Sequence, residues 1–272
     1  MSPAQNPSGF TISIEVVPPA GPDPEPILSA LEAIQELPFG AFSVATNPVA
    51  RPRMSALALS TLIQQRTGMP VTLHCTTRDH NRLALQSLLW GARALGIESV
   101  LIATGDHVSL GAKTRTTSVR DLDVLGLVQL ARQAGLYTGV VLDPRPESGQ
   151  LGHEVRRLEE KTRAGAQFVV TQPAFSEEAA VTLSQATRHL GIPVILGVLP
   201  LRTPEHARFL HERVVGILVP AQVRERLRQA ADPGIEGIVC AREMLDIARG
   251  RFAGACIMPP FDRYELLADI LA

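Results

Sequence analysis

Cysteine is scarce: Cys75, Cys240 and Cys256 are the three in 272 residues. They are widely separated and odd in number, which argues against a disulfide framework or a cysteine-type zinc site and for a reducing compartment. Lysine is scarcer still, with only Lys113 and Lys161, so few groups could form a Schiff base. Aromatic residues make up 4% of the chain, leaving little surface on which a ring could stack. Charge of neither sign dominates, the net charge being −1 with a pI near 6.7. Nucleic acid is therefore not an expected partner, because phosphate binding needs a basic surplus. No run approaches the ~20 apolar residues that cross a bilayer, so no membrane contact is expected. Met1–Gly9 has neither a basic flank nor an apolar core, so no signal peptide is expected and the cytoplasm is the expected location. Neither GxGxxG nor a P-loop sequence occurs, and both nucleotide fingerprints are thus missing.

What is present is ordinary globular material: 45% hydrophobic, 19% charged, mean hydropathy +0.12. The length suits one α/β barrel of about 250 residues, and no linker divides the chain, so one domain over 1–272 is expected. Short apolar runs recur along it: Phe10–Val17, Ala41–Ala45, Val71–Cys75, Ser99–Ala103, Tyr137–Leu142, Gln167–Thr171, Pro193–Val198 and Gly254–Met258. Most do not alternate, as befits strands covered on both faces. Amphipathic stretches lie between them, over Ile27–Leu37, Arg82–Leu95, Val119–Ala134, Leu151–Ala164, Glu177–Leu190 and Gly237–Arg251, with extra helix expected within Thr203–Ile235. Gly96, Gly135, Gly165 and Gly191 each precede a strand, where left-handed helix ends are usually closed. Eight strands alternating with helices predict an α/β fold, a single closed (β/α)8 TIM-type barrel, with an open doubly wound sheet as the alternative.

Barrel chemistry sits at the C-terminal ends of the strands. The polar residues there are Glu15, Thr46, Asn47, His74, Thr76, Arg78, Thr104, Asp106, Asp143, Gln172 and the Pro259–Arg263 segment. Glu15 stands inside an apolar strand, where burial would raise its pKa toward the range of a general acid; the alternative is a strand-end carboxylate paired with an arginine or facing water. Gly105 beside Asp106 would let backbone approach a flat ligand, or mark a simple turn. His74 reads more readily as a structural hydrogen-bonding residue than as a catalytic one. Gln172 offers donor and acceptor to a heterocycle edge, or is a satisfied core amide. Lys161 lies mid-helix, and on pattern alone faces solvent. No spacing of His, Cys, Asp or Glu fits a metal site.

Several segments together resemble the 5,10-methylenetetrahydrofolate reductase family. They include Ile14-Glu15-Val16-Val17-Pro18-Pro19, Thr46-Asn47-Pro48, His74-Cys75-Thr76-Thr77-Arg78-Asp79, Thr104-Gly105-Asp106, Thr171-Gln172-Pro173 and Pro259-Pro260-Phe261-Asp262-Arg263-Tyr264. Their order holds from Phe10 to Leu271, and the likeness is nearest to the reductase halves of bifunctional homocysteine S-methyltransferase/methylenetetrahydrofolate reductase proteins. The resemblance implies a barrel that holds FAD without a Rossmann fold and uses NADH or NADPH to reduce 5,10-methylenetetrahydrofolate to 5-methyltetrahydrofolate, in one-carbon metabolism and methionine biosynthesis. It implies Glu15, Asp106 and Gln172 as catalytic. Gln172 and Arg263 would meet the folate, and Thr46, Asn47, His74, Thr104, Gly105, Asp143 and Lys161 the flavin. The expected partners are small molecules, folate and nicotinamide, with the chain as a homo-oligomer. Simpler family members carry an arginine where Thr104 stands, and an aromatic followed by Pro-Glu-x-His where Asp143-Pro144-Arg145 stands. Three alternatives stay open: a folate- or flavin-binding accessory protein without reductase activity, another barrel enzyme such as a pterin-binding transferase or a lyase, and a folate reductase working without flavin.

Overall fold

A computed structural model describes residues 9–111, 116–142, 151–214 and 216–272. Eight parallel strands close into a barrel in sequential order: β1 (Thr11–Val16), β2 (Ala41–Val44), β3 (Val71–Thr76), β4 (Ser99–Ala103), β5 (Tyr137–Leu142), β6 (Phe168–Pro173), β7 (Val194–Val198) and β8 (Gly254–Ile257). The first and last strands close it through the pairs Thr11↔Gly254 to Ile14↔Ile257. The open-sheet alternative is thereby excluded.

The helices are α1 (Glu25–Glu32), α2 (Ala56–Thr67), α3 (Arg82–Ala94), α4 (Val124–Gln133), α5 (Leu151–Arg163), α6 (Glu177–Thr187), α7 (Pro204–Arg213), α8 (Ala221–Gln229), α9 (Pro233–Arg251) and α10 (Leu266–Leu271). Polar caps start several of them: Asn81, Asp123, Ser176 and Thr203 each accept a backbone N–H of the first turn, satisfying donors that no helix can pair internally. Gly96, Gly135, Gly165 and Gly191 all take positive φ, as their places before strands led us to expect.

Some elements differ from the sequence reading. Helix α1 stops at Glu32, not Leu37, because Ala33–Leu37 winds into turns such as Leu37 N–H to Ile34 O at 3.0 Å and the residue before Pro38 disfavours helix. Helix α2 was not anticipated: its buried face of Ala56, Leu59, Ser60 and Ile63 includes a serine and an alanine, which blunts the apolar period. Helix α4 begins at Val124, not Val119, since Asp123 is its cap and Val119 N–H is held by Arg78 O at 2.9 Å. The short α10 was not foreseen either.

Two apolar layers result. Alternate strand residues, such as Ile12, Ile14 and Val16 or Val71, Leu73 and Cys75, pack outward against the helices in the main core. The complementary set fills the barrel, and it divides by chemistry. From β4 to β8 the interior is apolar, with Leu101, Phe168, Val170, Ile195 and Cys256 in one cluster. Phe168 stacks on Tyr137 at 5.2 Å, and Gly139 makes room for it, since a Cβ there would lie 2.2 Å from the Phe168 ring. From β1 to β3 the interior set is Ser13, Glu15, Ser43, Thr72 and His74, by the same alternation.

Candidate functional site

Glu15 rises from the polar side of the barrel. Its neighbours Ile14 and Val16 are fully buried on the outer face, so strand alternation turns the carboxyl inward. Burial pushes its pKa from 4.5 up to about 7, and the negative charge of Asp106 adds to the rise. At neutral pH the group thus exists in both protonation states, as a general acid requires. Cys256 and Tyr264 also face it. Burial pushes the Cys256 thiol up to about 12, and burial with Asp262 and Glu15 nearby raises the Tyr264 phenol, so both stay neutral.

His74 forms a 2.7 Å hydrogen bond between Nε2 and Ser43 Oγ. Burial lowers its pKa to about 4, so the imidazole is neutral and joins β3 to β2 inside the barrel. Gln172 lies at the irregularity of β6, where two residues of β6 oppose one of β7. It is half-buried. Thr46 is half-buried in the turn after β2.

Asp106 lies at the rim, its Oδ2 accepting the Val49 N–H at 2.6 Å. Asn47 donates from Nδ2 to Asp79 at 3.1 Å and accepts the Arg53 N–H at 2.9 Å. Beneath both lies Arg78, 4% exposed, which pairs with Asp79 at 2.5 Å. Burial alone would raise Asp79, but hydrogen bonds from Arg78 and Asn47 outweigh it and hold its pKa below the usual value. Arg78 was legible as a strand-end residue but was not assigned a role, and Asp79 was not singled out there; an adjacent Arg-Asp pair following a buried strand is the signal that could have marked them.

A cavity of about 530 Å³ opens beside this cluster, within the ~300–1,000 Å³ range of small-molecule sites. Among the described residues, Thr104, Gly105, Asp106 and Lys161 line it, joined by Arg120 and Arg157. Lys161 is half-buried and donates to Val141 O at 2.8 Å, so it is not the solvated residue its pattern suggested. Gly105 has φ +85, and a Cβ there would lie 3.2 Å from both Thr76 and Arg78; its close approach is to β3. Glu15, Thr46, Asn47, His74, Gln172 and Arg263 are not among the cavity-lining residues. Asp106 is the wall the cavity shares with the Glu15 side of the mouth.

Arg263 sits at the rim after β8, half exposed and paired with Glu265. Beside it Phe261 is 72% exposed with φ +57, its ring 5.2 Å from His206. Asp143 lies outside the described residues.

The cavity fits a flavin dinucleotide in two respects. Its volume suits a large ligand, and Arg120, Arg157 and Lys161 place cations on its wall, the chemistry that diphosphate requires, beside the carboxylates of Asp106, Asp123 and Glu160. No group of three or more potential metal ligands occurs among the described residues, and no described helix is long and apolar enough to cross a membrane.

Comparisons with known proteins bear on the family and on the fold. The chain is 25% identical over 227 residues to methylenetetrahydrofolate reductase 2 of Schizosaccharomyces pombe, covering 73% of this chain and 35% of that one. It is 23% identical over 192 residues to the 5,10-methylenetetrahydrofolate reductase of Buchnera aphidicola, covering 70% and 65%. It thus spans about a third of the first relative and just under two thirds of the second. Among solved structures, a mutant tryptophan synthase alpha-subunit from Pyrococcus furiosus superposes with a TM-score of 0.56 at 12% identity, over 96% of this chain and 97% of that one; this is a likeness of fold alone. The model of the family described as methylenetetrahydrofolate reductase matches residues 2–249, and the chain belongs to that family.

Proposed function

We propose that this protein reduces 5,10-methylenetetrahydrofolate to 5-methyltetrahydrofolate, with FAD as cofactor and NADH or NADPH as electron donor. The observation that carries the reading is a carboxyl inside the barrel mouth, Glu15, held near pKa 7 by burial and by Asp106. Below that pH Glu15 carries a proton and can give it to a nitrogen of the folate's five-membered ring. Cleavage of the ring C–N bond then leaves a cationic iminium. The Asp106 carboxylate, fixed by the Val49 N–H, stabilises that cation. Gln172 would orient the pterin through donor and acceptor. Arg263, released from Glu265, would meet a carboxylate of the folate tail. Lys161, Arg120 and Arg157 would hold the dinucleotide's phosphates, and Thr104 and Gly105 its edge. The chemistry a flavin supplies when bound is hydride transfer from the nicotinamide to the one-carbon unit.

The test is direct. Purified protein should show the visible absorption of a flavin, bleached by NADH or NADPH, and should convert methylenetetrahydrofolate on turnover. Folded protein that neither carries nor binds flavin would overturn the cofactor assignment. Glu15→Gln should leave flavin reduction by nicotinamide nearly intact and lower folate reduction by about 10²–10⁴-fold, the usual contribution of a general acid. Equal loss in both half-reactions would refute the acid role. One observation favours a second reading, a binding protein without turnover: no Phe, Tyr or Trp side chain lines the cavity among the described residues. Steady-state turnover decides between them.

A further inference from the structure

Three loops meet at the barrel mouth, and one buried side chain touches all of them. The Arg78 guanidinium holds its own loop through Asp79, with Nε to Oδ1 at 2.5 Å and Nη2 to Oδ2 at 2.8 Å. It reaches the loop after β2 through Nη2 to Asn47 O at 3.0 Å, and the loop after β4 through Nη1 to Asp106 O at 3.0 Å. The last two loops also bind each other, Val49 N–H to Asp106 Oδ2 at 2.6 Å. The bonds form a closed ring: Arg78 to Asp106, Asp106 to Val49, and the Val49 loop back to Arg78.

We propose that Arg78 is a positioning residue for the folate reaction, fixing the Asp106 carboxylate opposite Glu15 through this ring. The inference rests on the roles of Glu15 and Asp106 given above and adds the residue that sets their relation. Two features of the backbone support it. Asn47, Val49 and Ala50 have φ of +42, +49 and +54, a region that β-branched residues seldom occupy and that persists only where the surroundings hold it. The Val49 N–H points at Asp106 because of that conformation, and Arg78 grips the carbonyl two residues earlier. On the other side Gly105, with φ +85, packs against the Arg78 and Thr76 side chains, bringing the Asp106 loop onto the guanidinium.

Arginine is required here by its geometry. A planar fork serves a carboxylate and two carbonyls at once, whereas a lysine ammonium is a single point with three donors. Arg78→Lys keeps the charge beside Asp79 and breaks the ring. Among the titratable groups facing Glu15, Cys256 and Tyr264 are neutral, so the charge whose displacement alters Glu15 is that of Asp106.

The experiment compares wild type, Arg78→Lys, Asp106→Asn and the double variant. In the cofactor-free protein, amide hydrogen exchange should rise in segments 46–54 and 104–110 of Arg78→Lys and stay unchanged in the strands. In the loaded enzyme, kcat for folate reduction should fall roughly 100-fold, the scale of an ångström's misplacement, with KM little changed. The alkaline limb of its pH profile, where Glu15 loses its proton, should move to lower pH as Asp106 withdraws from Glu15. In the Asp106→Asn background Arg78→Lys should cost little more. Should Arg78→Lys fail to fold, Gly105→Ala disturbs the same contact without changing a charge, and the same shifts are expected from it. Unchanged exchange in the two loops, an unmoved pH profile, or additive losses in the double variant would overturn the proposal. A wild type that cannot turn over folate would refute the functional reading instead, and hydrogen exchange would still judge the ring.

Discussion

A carboxyl that stays protonated to about pH 7 inside a protein is a local source of instability. Glu15 ionises at 4.5 when solvated and near 7 in the fold. Between those values the folded chain holds a proton that the unfolded chain releases, so stability declines as pH rises through this window. Above it the cost levels off at roughly 3 kcal/mol, from 1.36 kcal/mol per pKa unit. Glu15→Gln removes the ionisation while keeping shape, and should be more stable than wild type by up to ~3 kcal/mol at about pH 8, with the gap closing near pH 4. Urea titrations at the two pH values measure it; a gap that does not change with pH would mean that Glu15 is not held protonated. A gain in stability on losing an active-site acid is the usual trade between function and stability. His74 shows the opposite use of burial. Its lowered pKa keeps it neutral, so its bond to Ser43 persists without a charge inside the barrel.

Strands β5 and β6 show how tightly the elements fit. Gly139 on β5 faces Phe168 on β6, whose ring is 2% exposed and stacked on Tyr137. A methyl group at 139 would overlap that ring, its Cβ falling 2.2 Å from Phe168 Cζ, and the stacked tyrosine blocks retreat. Gly139→Ala should therefore destabilise the barrel by about 1–3 kcal/mol, the cost of overpacking a filled core, read as a lower denaturant midpoint with unchanged slope. A neutral result would show that the interior of β5–β6 can yield. The helices that differ from the sequence reading do so because apolar periodicity is only one of the signals that place a helix. A weak buried face at Ser60 in α2 follows from what that helix packs on, and the start of α4 from the local cap at Asp123; the apolar period carries neither.

At the scale of the whole molecule, closure is the decisive property. Thr11 to Ile14 pair with Gly254 to Ile257, and the Thr11 N–H bonds Ala253 O at 3.1 Å, across nearly the full length of the described chain. Removing residues 254–272 would expose both the β1 and β7 edges, and unpaired edges recruit other chains. Such a truncation should lose its cooperative thermal transition and aggregate, followed by circular dichroism and light scattering; a soluble, cooperatively melting product would mean that seven strands suffice. Closure also brings Glu15, Asp106 and Tyr264 together from opposite ends of the sequence.

The sequence by itself determined the class of fold, because eight short Val-, Ile- and Leu-rich runs separated by amphipathic stretches have few ways to bury both faces of every strand. It also determined where polar groups would stand, since Glu15, His74 and Asp106 each end or follow a run. It could not divide them between the barrel interior, where His74 bonds Ser43, and the adjoining cavity, which Lys161 lines together with Thr104 and Gly105. Nor could it reveal that Arg78 is buried beneath three loops. Those facts depend on contacts between segments far apart in the chain, and only closing the barrel brings such segments within hydrogen-bonding distance.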